Sequence, residues 1–181
     1  MIDEIMEYNR KFVENKGYEP YLTSKYPDKK LAILTCMDTR LLELLPAALG
    51  IKNGDAKIIK NAGGVIVHPY GSVVRSLLVG ILELGVEEVM VIGHTDCGVQ
   101  GMDGHEMLEK LVERGIDQQH IDIVRHSGID LERWLGGFES VESSVHETVR
   151  RLKEHPLMPK DVRISGFIMD SATGELTRVE E

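Results

Sequence analysis

Three short apolar runs constrain this chain most: "LAILT" at 31–35, "AKIIK" at 56–60 and "EVMVIG" at 88–93, each parted from the next by a stretch of helical character. Continuous apolar runs of this length suit strands, and a strand covered on both faces needs no polar alternation. Strands separated by helices pair in parallel, because the crossover brings the chain back to the same end of the sheet.

The intervening segments fit that plan. "LLELLPAALG" reads as helical, with Pro46 either starting or kinking a helix. From Pro69 onward, "PYGSVVRSLLVGILELG" predicts a long helix with an apolar stripe, closed by Gly85. Residues 103–155 are mostly helical, with stops at Gly115, Gly128 and Gly136-Gly137 and a final amphipathic helix that Pro156 ends. "VRISGFIMD", the turn "SATG" and "ELTRV" form a closing hairpin. At the other end, Ile2, Ile5, Met6, Phe12 and Val13 recur at helical spacing before Gly17, a plausible stop, so the first helix carries one apolar stripe that packs on something.

The fold class expected is α/β, a mainly parallel central β-sheet flanked by helices, with a C-terminal β-hairpin at the sheet edge. With 181 residues, 42% of them hydrophobic, and no internal repeat or linker, the chain forms a single domain over 1–181.

Charge narrows the partners. Twenty-one basic against 30 acidic residues give a net charge of -9, which disfavours nucleic acid and anionic membranes and favours a small molecule or a protein. No apolar run reaches the roughly 18 to 20 residues that span a bilayer, and the first residues lack a signal-peptide pattern, so a cytoplasmic protein is expected.

In such a compartment the two cysteines, Cys36 and Cys97, are poor candidates for a structural disulfide. Ligands of open α/β sheets gather at the carboxyl ends of the strands. Cys36 follows the first strand and His94 the third, so both face one sheet edge, and Cys97 lies three residues beyond His94 in "GHTDCG". Gly93 and Gly98 are expected to relax the backbone at each end of that loop. Two Cys and one His suit zinc, and three protein ligands with an open fourth position describe a catalytic rather than a structural site.

Spacing alone admits other readings. A His in a loop is commonly a hydrogen-bonded scaffold residue, buried cysteines commonly behave as small hydrophobes, and Asp38 with Arg40 forms local ion pairs in many proteins. No nucleotide loop, cysteine-phosphatase cradle or Cys-x-x-Cys is present, and the remaining histidines, His68, His105, His120, His126, His146 and His155, carry no ligand spacing and are assigned structural or surface roles.

"CMDTR", followed some sixty residues later by "HTDCG", resembles the β-class carbonic anhydrases, whose signature is Cys-x-Asp-Ser/Thr-Arg with His-x-x-Cys on strand-end loops. The likeness extends to the "KNAGG" turn, the first helix and the closing "GFIMDSATGELTRV", and the chain length matches the small prokaryotic members.

The resemblance implies zinc-dependent reversible hydration of carbon dioxide to bicarbonate by hydroxide generated at the metal, with one Zn2+ per subunit bound by Cys36, His94 and Cys97. It further implies that Asp38 and Arg40 act as a catalytic dyad and that Asp38 also serves as a fourth metal ligand when the site closes. Family members pair as homodimers or higher homo-oligomers, with the first helix over the neighbour. Two thiolates cancel the charge of Zn2+, so activity is expected to rise toward alkaline pH. Two alternatives remain: a hydrolase of carbonyl sulfide or carbon disulfide, and a catalytically silent zinc-binding dimer closed by two Cys, one His and one Asp.

Overall fold

The computed structural model describes residues 1–180, so the last residue of the expected 1–181 domain lies outside it. Five strands form one sheet: β1 (Leu31–Cys36), β2 (Ala56–Asn61), β3 (Glu88–His94), β4 (Arg163–Met169) and β5 (Leu176–Arg178). Their order is β2-β1-β3-β4-β5. The first four are parallel, and β5 returns antiparallel on β4 through the "SATG" turn. The expected sheet, with its hairpin at the edge, is therefore observed.

Both faces of the sheet are covered, which explains why β1 and β3 are apolar without alternation. On one face, Ala32, Leu34, Val89 and Val91 pack with Val74 and Leu77 of α3 (Ser72–Leu84) and with Val145, Val149 and Leu152 of α7 (Val141–Glu154). On the other, Ile33, Ile92 and Met169 pack with Leu41, with Leu45 of α2 (Leu44–Ala48), and with both cysteines. Pro46 sits inside α2, a helix of one turn, where an absent N–H does little harm.

Residues 103–155 form α4 (Gly104–Glu113), α5 (Gln118–His126), α6 (Leu131–Leu135) and α7, and Leu108, Ile121 and Leu131 make a small core of their own. Asp103, Asp117, Asp130 and Ser140 cap these four helices through their side chains. α3 ends as expected, on Gly85 with φ +75°.

Two glycines act differently from the sequence expectation. α1 (Ile2–Glu14) closes on Lys16, which takes a left-handed φ of +55°, whereas Gly17 lies under the Phe12 ring, which would stand 2.5 Å from a Cβ there. Gly93 serves packing rather than a turn: a Cβ there would meet Val141 and Val145 of α7, each at 2.7 Å. α1 buries no residue of its own, and Ile2, Ile5, Met6 and Val13 are exposed.

Candidate metal centre

The parallel pairing of β1 with β3 puts Cys36, the last residue of β1, beside the end of β3, where His94 is the last residue. Asn61 pairs with Cys36 from β2, and its carbonyl accepts the Met37 N–H at 2.8 Å. The "NAGG" turn that follows is tied to itself, the Asn61 side chain accepting from Val65 N–H at 3.0 Å and donating to Val65 C=O at 2.7 Å. Gly64, with φ +65°, lets this turn lie against β1, for a Cβ there would be 2.9 Å from the Thr35 carbonyl carbon and 3.0 Å from the Cys36 nitrogen.

On the β3 side, Thr95 N–H donates to Met169 C=O at 3.0 Å, and the Thr95 hydroxyl accepts from Ser171 N–H at the same distance. The loop is thereby anchored to the end of β4. It turns on Asp96, which adopts φ +54°, while Gly98 has no left-handed φ and open space around its Cβ direction. The backbone freedom expected of Gly93 and Gly98 is thus supplied by an aspartate, one of the few residues with a side chain that tolerates this conformation.

These loops bring Cys36, His94 and Cys97 together, with their ligand atoms all within 4.8 Å of one another and all three residues buried. The two Sγ atoms are 3.9 Å apart. Burial pushes the Cys97 thiol up from its ordinary range, and the nearby Cys36 adds to this, while a hydrogen bond from the Val99 backbone pulls the other way.

His94 provides the sharpest test of whether a metal fits. Its Nδ1 lies 2.9 Å from Thr95 C=O, an acceptor only, so Nδ1 carries the proton and Nε2 presents a lone pair. That Nε2 is the one buried side-chain nitrogen or oxygen without a hydrogen-bond partner among the described residues. Leaving such an atom unsatisfied costs about 1–3 kcal/mol. A lone pair held in register by a carbonyl on the opposite ring nitrogen, next to two thiols, is the donor set that zinc takes.

Asp38 and Arg40 stand at the rim. Asp38 caps the short 3-10 turn Thr39–Leu41 by accepting from Arg40 N–H at 2.9 Å. Its two oxygens also receive Arg40 Nε at 3.0 Å and Nη2 at 2.8 Å, a fork on the carboxylate. Those hydrogen bonds hold the Asp38 carboxyl far below the usual carboxylate range and raise the Arg40 guanidinium. Asp38 Oδ2 lies 3.8 Å from His94 Nε2, but Asp38 is not one of the three mutually close ligand residues.

Sequence reasoning did not single out Asp96. Arg40 Nη1 donates to its carboxylate and Nη2 to its carbonyl, both at 2.8 Å. Of the other histidines, His155 is buried and structural: Nε2 donates to Pro69 C=O at 2.9 Å and Nδ1 accepts from Leu157 N–H at 3.2 Å. The remaining five are exposed, and none joins a metal-binding group among the described residues.

Residues 31–176 match the family described as carbonic anhydrase. YvdA of Bacillus subtilis (strain 168) is 52% identical over 175 residues, which cover 97% of this chain and 89% of that protein. A carbon disulfide hydrolase of Acidithiobacillus thiooxidans is 31% identical, over 82% of this chain and 76% of its own. The crystal structure of β-carbonic anhydrase isoform I from Trichomonas vaginalis superposes with a TM-score of 0.88 at 34% identity, covering 99% of this chain and 97% of that one. A family match from the start of β1 to the first residue of β5, reinforced by the close superposition on a β-class structure, means that the chain belongs to the carbonic anhydrase family, in its β class.

Proposed function

We propose that the protein is a zinc-dependent carbonic anhydrase, a lyase that interconverts carbon dioxide and bicarbonate, with one zinc per subunit held by Cys36, His94 and Cys97. The observation that carries this reading is the buried, unpartnered Nε2 of His94 beside two thiols, in a chain of this family. Bound there, zinc supplies a Lewis acid that makes water nucleophilic near neutral pH.

The side chains around it set direction and proton traffic. Asp38, kept ionised by Arg40, is an acceptor only, and its Oδ2 faces the ligand cluster from 3.8 Å. It holds the proton of the attacking oxygen and so turns the oxygen lone pair toward the carbon of CO2. A C–O bond forms, one C=O π bond gives its electron pair to oxygen, and the surplus proton leaves to solvent. Arg40 keeps the carboxylate from swinging inward, since both oxygens are occupied by its fork.

That engagement favours an open site over one closed by Asp38 as a fourth ligand. A homodimer is the assembly proposed, because Ile2, Ile5, Met6 and Val13 of the α1 stripe are left exposed among the described residues. The cytoplasm is the compartment proposed, since it keeps the unpaired Cys36 and Cys97 reduced for the metal.

Metal analysis coupled to a CO2 hydration assay tests the function. The expected result is about one zinc per chain and zinc-dependent hydration; bound zinc with no hydration at neutral or alkaline pH overturns it in favour of a silent site. The likeness to a carbon disulfide hydrolase supports a second reading, so CO2, carbonyl sulfide and carbon disulfide should be compared on one zinc-loaded preparation. Preference for either sulfur compound transfers the assignment to that reading.

A further inference from the structure

We infer that Asp96 is a positioning residue, which acts on Asp38 by immobilising the Arg40 guanidinium from the opposite ligand loop. Its role in turnover rests on the carbonic anhydrase reading; its grip on Arg40 does not.

The guanidinium has five N–H donors in a fixed plane. Nε and one Nη2 hydrogen go to Asp38, the other Nη2 hydrogen goes to Asp96 C=O, and an Nη1 hydrogen goes to Asp96 Oδ2. Arg40 therefore joins the loop after β1 to the loop after β3, gripping Asp38, two positions on from the proposed ligand Cys36, and Asp96, one before the proposed ligand Cys97. With the Asp38 fork alone, a guanidinium 41% exposed could swing about the carboxylate; anchoring its far edge removes that freedom.

Two arms serve this purpose. The carbonyl arm depends on the left-handed backbone at 96, which turns the C=O toward Arg40. The carboxylate arm is 86% exposed, so water and salt weaken it, and its contribution is modest.

The substitutions that separate them keep the backbone. Asp96→Gly suits φ +54° and deletes only the carboxylate arm, whereas Asp96→Asn suits the same φ and retains an uncharged acceptor. In zinc-loaded protein, Asp96→Gly is expected to lower kcat roughly twofold to fivefold, the scale of an exposed ion pair, with KM and zinc content unchanged. Asp96→Asn should recover part of the loss. Because Asp96 works through Arg40, adding Asp96→Gly to Arg40→Ala should produce little further loss.

A second readout is independent of turnover. Exchange of the Arg40 Nε–H with water, followed by NMR, should quicken by a similar roughly twofold to fivefold in Asp96→Gly. Unchanged exchange, or the same fold-loss of kcat with and without Arg40, overturns the proposal. Should the unsubstituted zinc protein hydrate no CO2, the carbonic anhydrase reading falls, and the exchange measurement still decides the role of Asp96.

Discussion

The strand-end edge that gathers Cys36, His94 and Cys97 and the first helix both carry residues that sequence pattern marks out, yet the first set is buried within the chain and the apolar residues of the second stay largely exposed among the described residues. At the edge, Cys36, His94 and Cys97 are buried, and their loops are tied to β2 and β4 by backbone hydrogen bonds. α1 buries none of its apolar residues. The difference teaches what kind of information each pattern holds. Strand-end position fixes where a side chain goes, because parallel pairing dictates which residues meet. An amphipathic stripe says only that a face is to be covered, not by what.

The comparison is broken most severely by Cys97→Ala. If the edge is a self-sufficient metal site, this change should reduce zinc from about one per chain to nearly none and abolish turnover. Zinc retained at full stoichiometry, measured after gel filtration, would remove Cys97 from the ligand set. Asp38→Ala comes next: zinc should stay while kcat falls about 10²- to 10⁴-fold, the range for a positioned acid-base group. Equal zinc loss in both variants would instead identify a structural four-ligand site.

A smaller effect follows from pH. Burial raises the Cys97 thiol above its ordinary range, so across neutral pH this group carries a proton that zinc must displace. Lower pH makes displacement harder, and affinity should therefore fall by at least about tenfold for each unit of acidification below neutrality. Competition with a chelator of known proton dependence measures it, and a flat profile contradicts a thiolate site.

The finest change sharpens the other half of the contrast. Ile5→Asp places charge in the exposed stripe of α1, where the chain has no core to disturb. In a two-fold interface the substitution occurs twice, each removing roughly 1.5–3 kcal/mol of aliphatic burial, and dimer affinity should drop on the order of a hundredfold or more. Sedimentation showing one mass for both proteins would mean that the stripe is not a subunit contact.

Much of this molecule is legible in its sequence. The strand runs at 31–35, 56–60 and 88–93 fall within one residue of β1, β2 and β3, because continuous apolar segments of that length have few other places to go. The end of α3 on Gly85 was equally readable, the left-handed cap and the glycine coinciding. Where the two part company, reading fails. Lys16 and Asp96 take positive φ without being glycine, and Gly93 is glycine for the sake of α7, fifty residues away in sequence. A lone sequence does not distinguish a glycine that turns from one that makes room. Asp96 was illegible for a related reason: its partner, Arg40, lies on another strand-end loop, and neither charge spacing nor local pattern joins them.

The two cysteines meet across 61 positions of sequence, and they do so only because β1 and β3 are paired between them. Closing so long a loop costs chain entropy before any contact rewards it. The three candidate ligands therefore come together only once that pairing forms, and on the zinc reading proposed above metal capture reports that the central pairing is in place. In refolding, protection of both thiols from alkylation by zinc should follow, never precede, protection of the β1 and β3 amides from exchange. The ion would thus inspect the fold before the fold puts it to use.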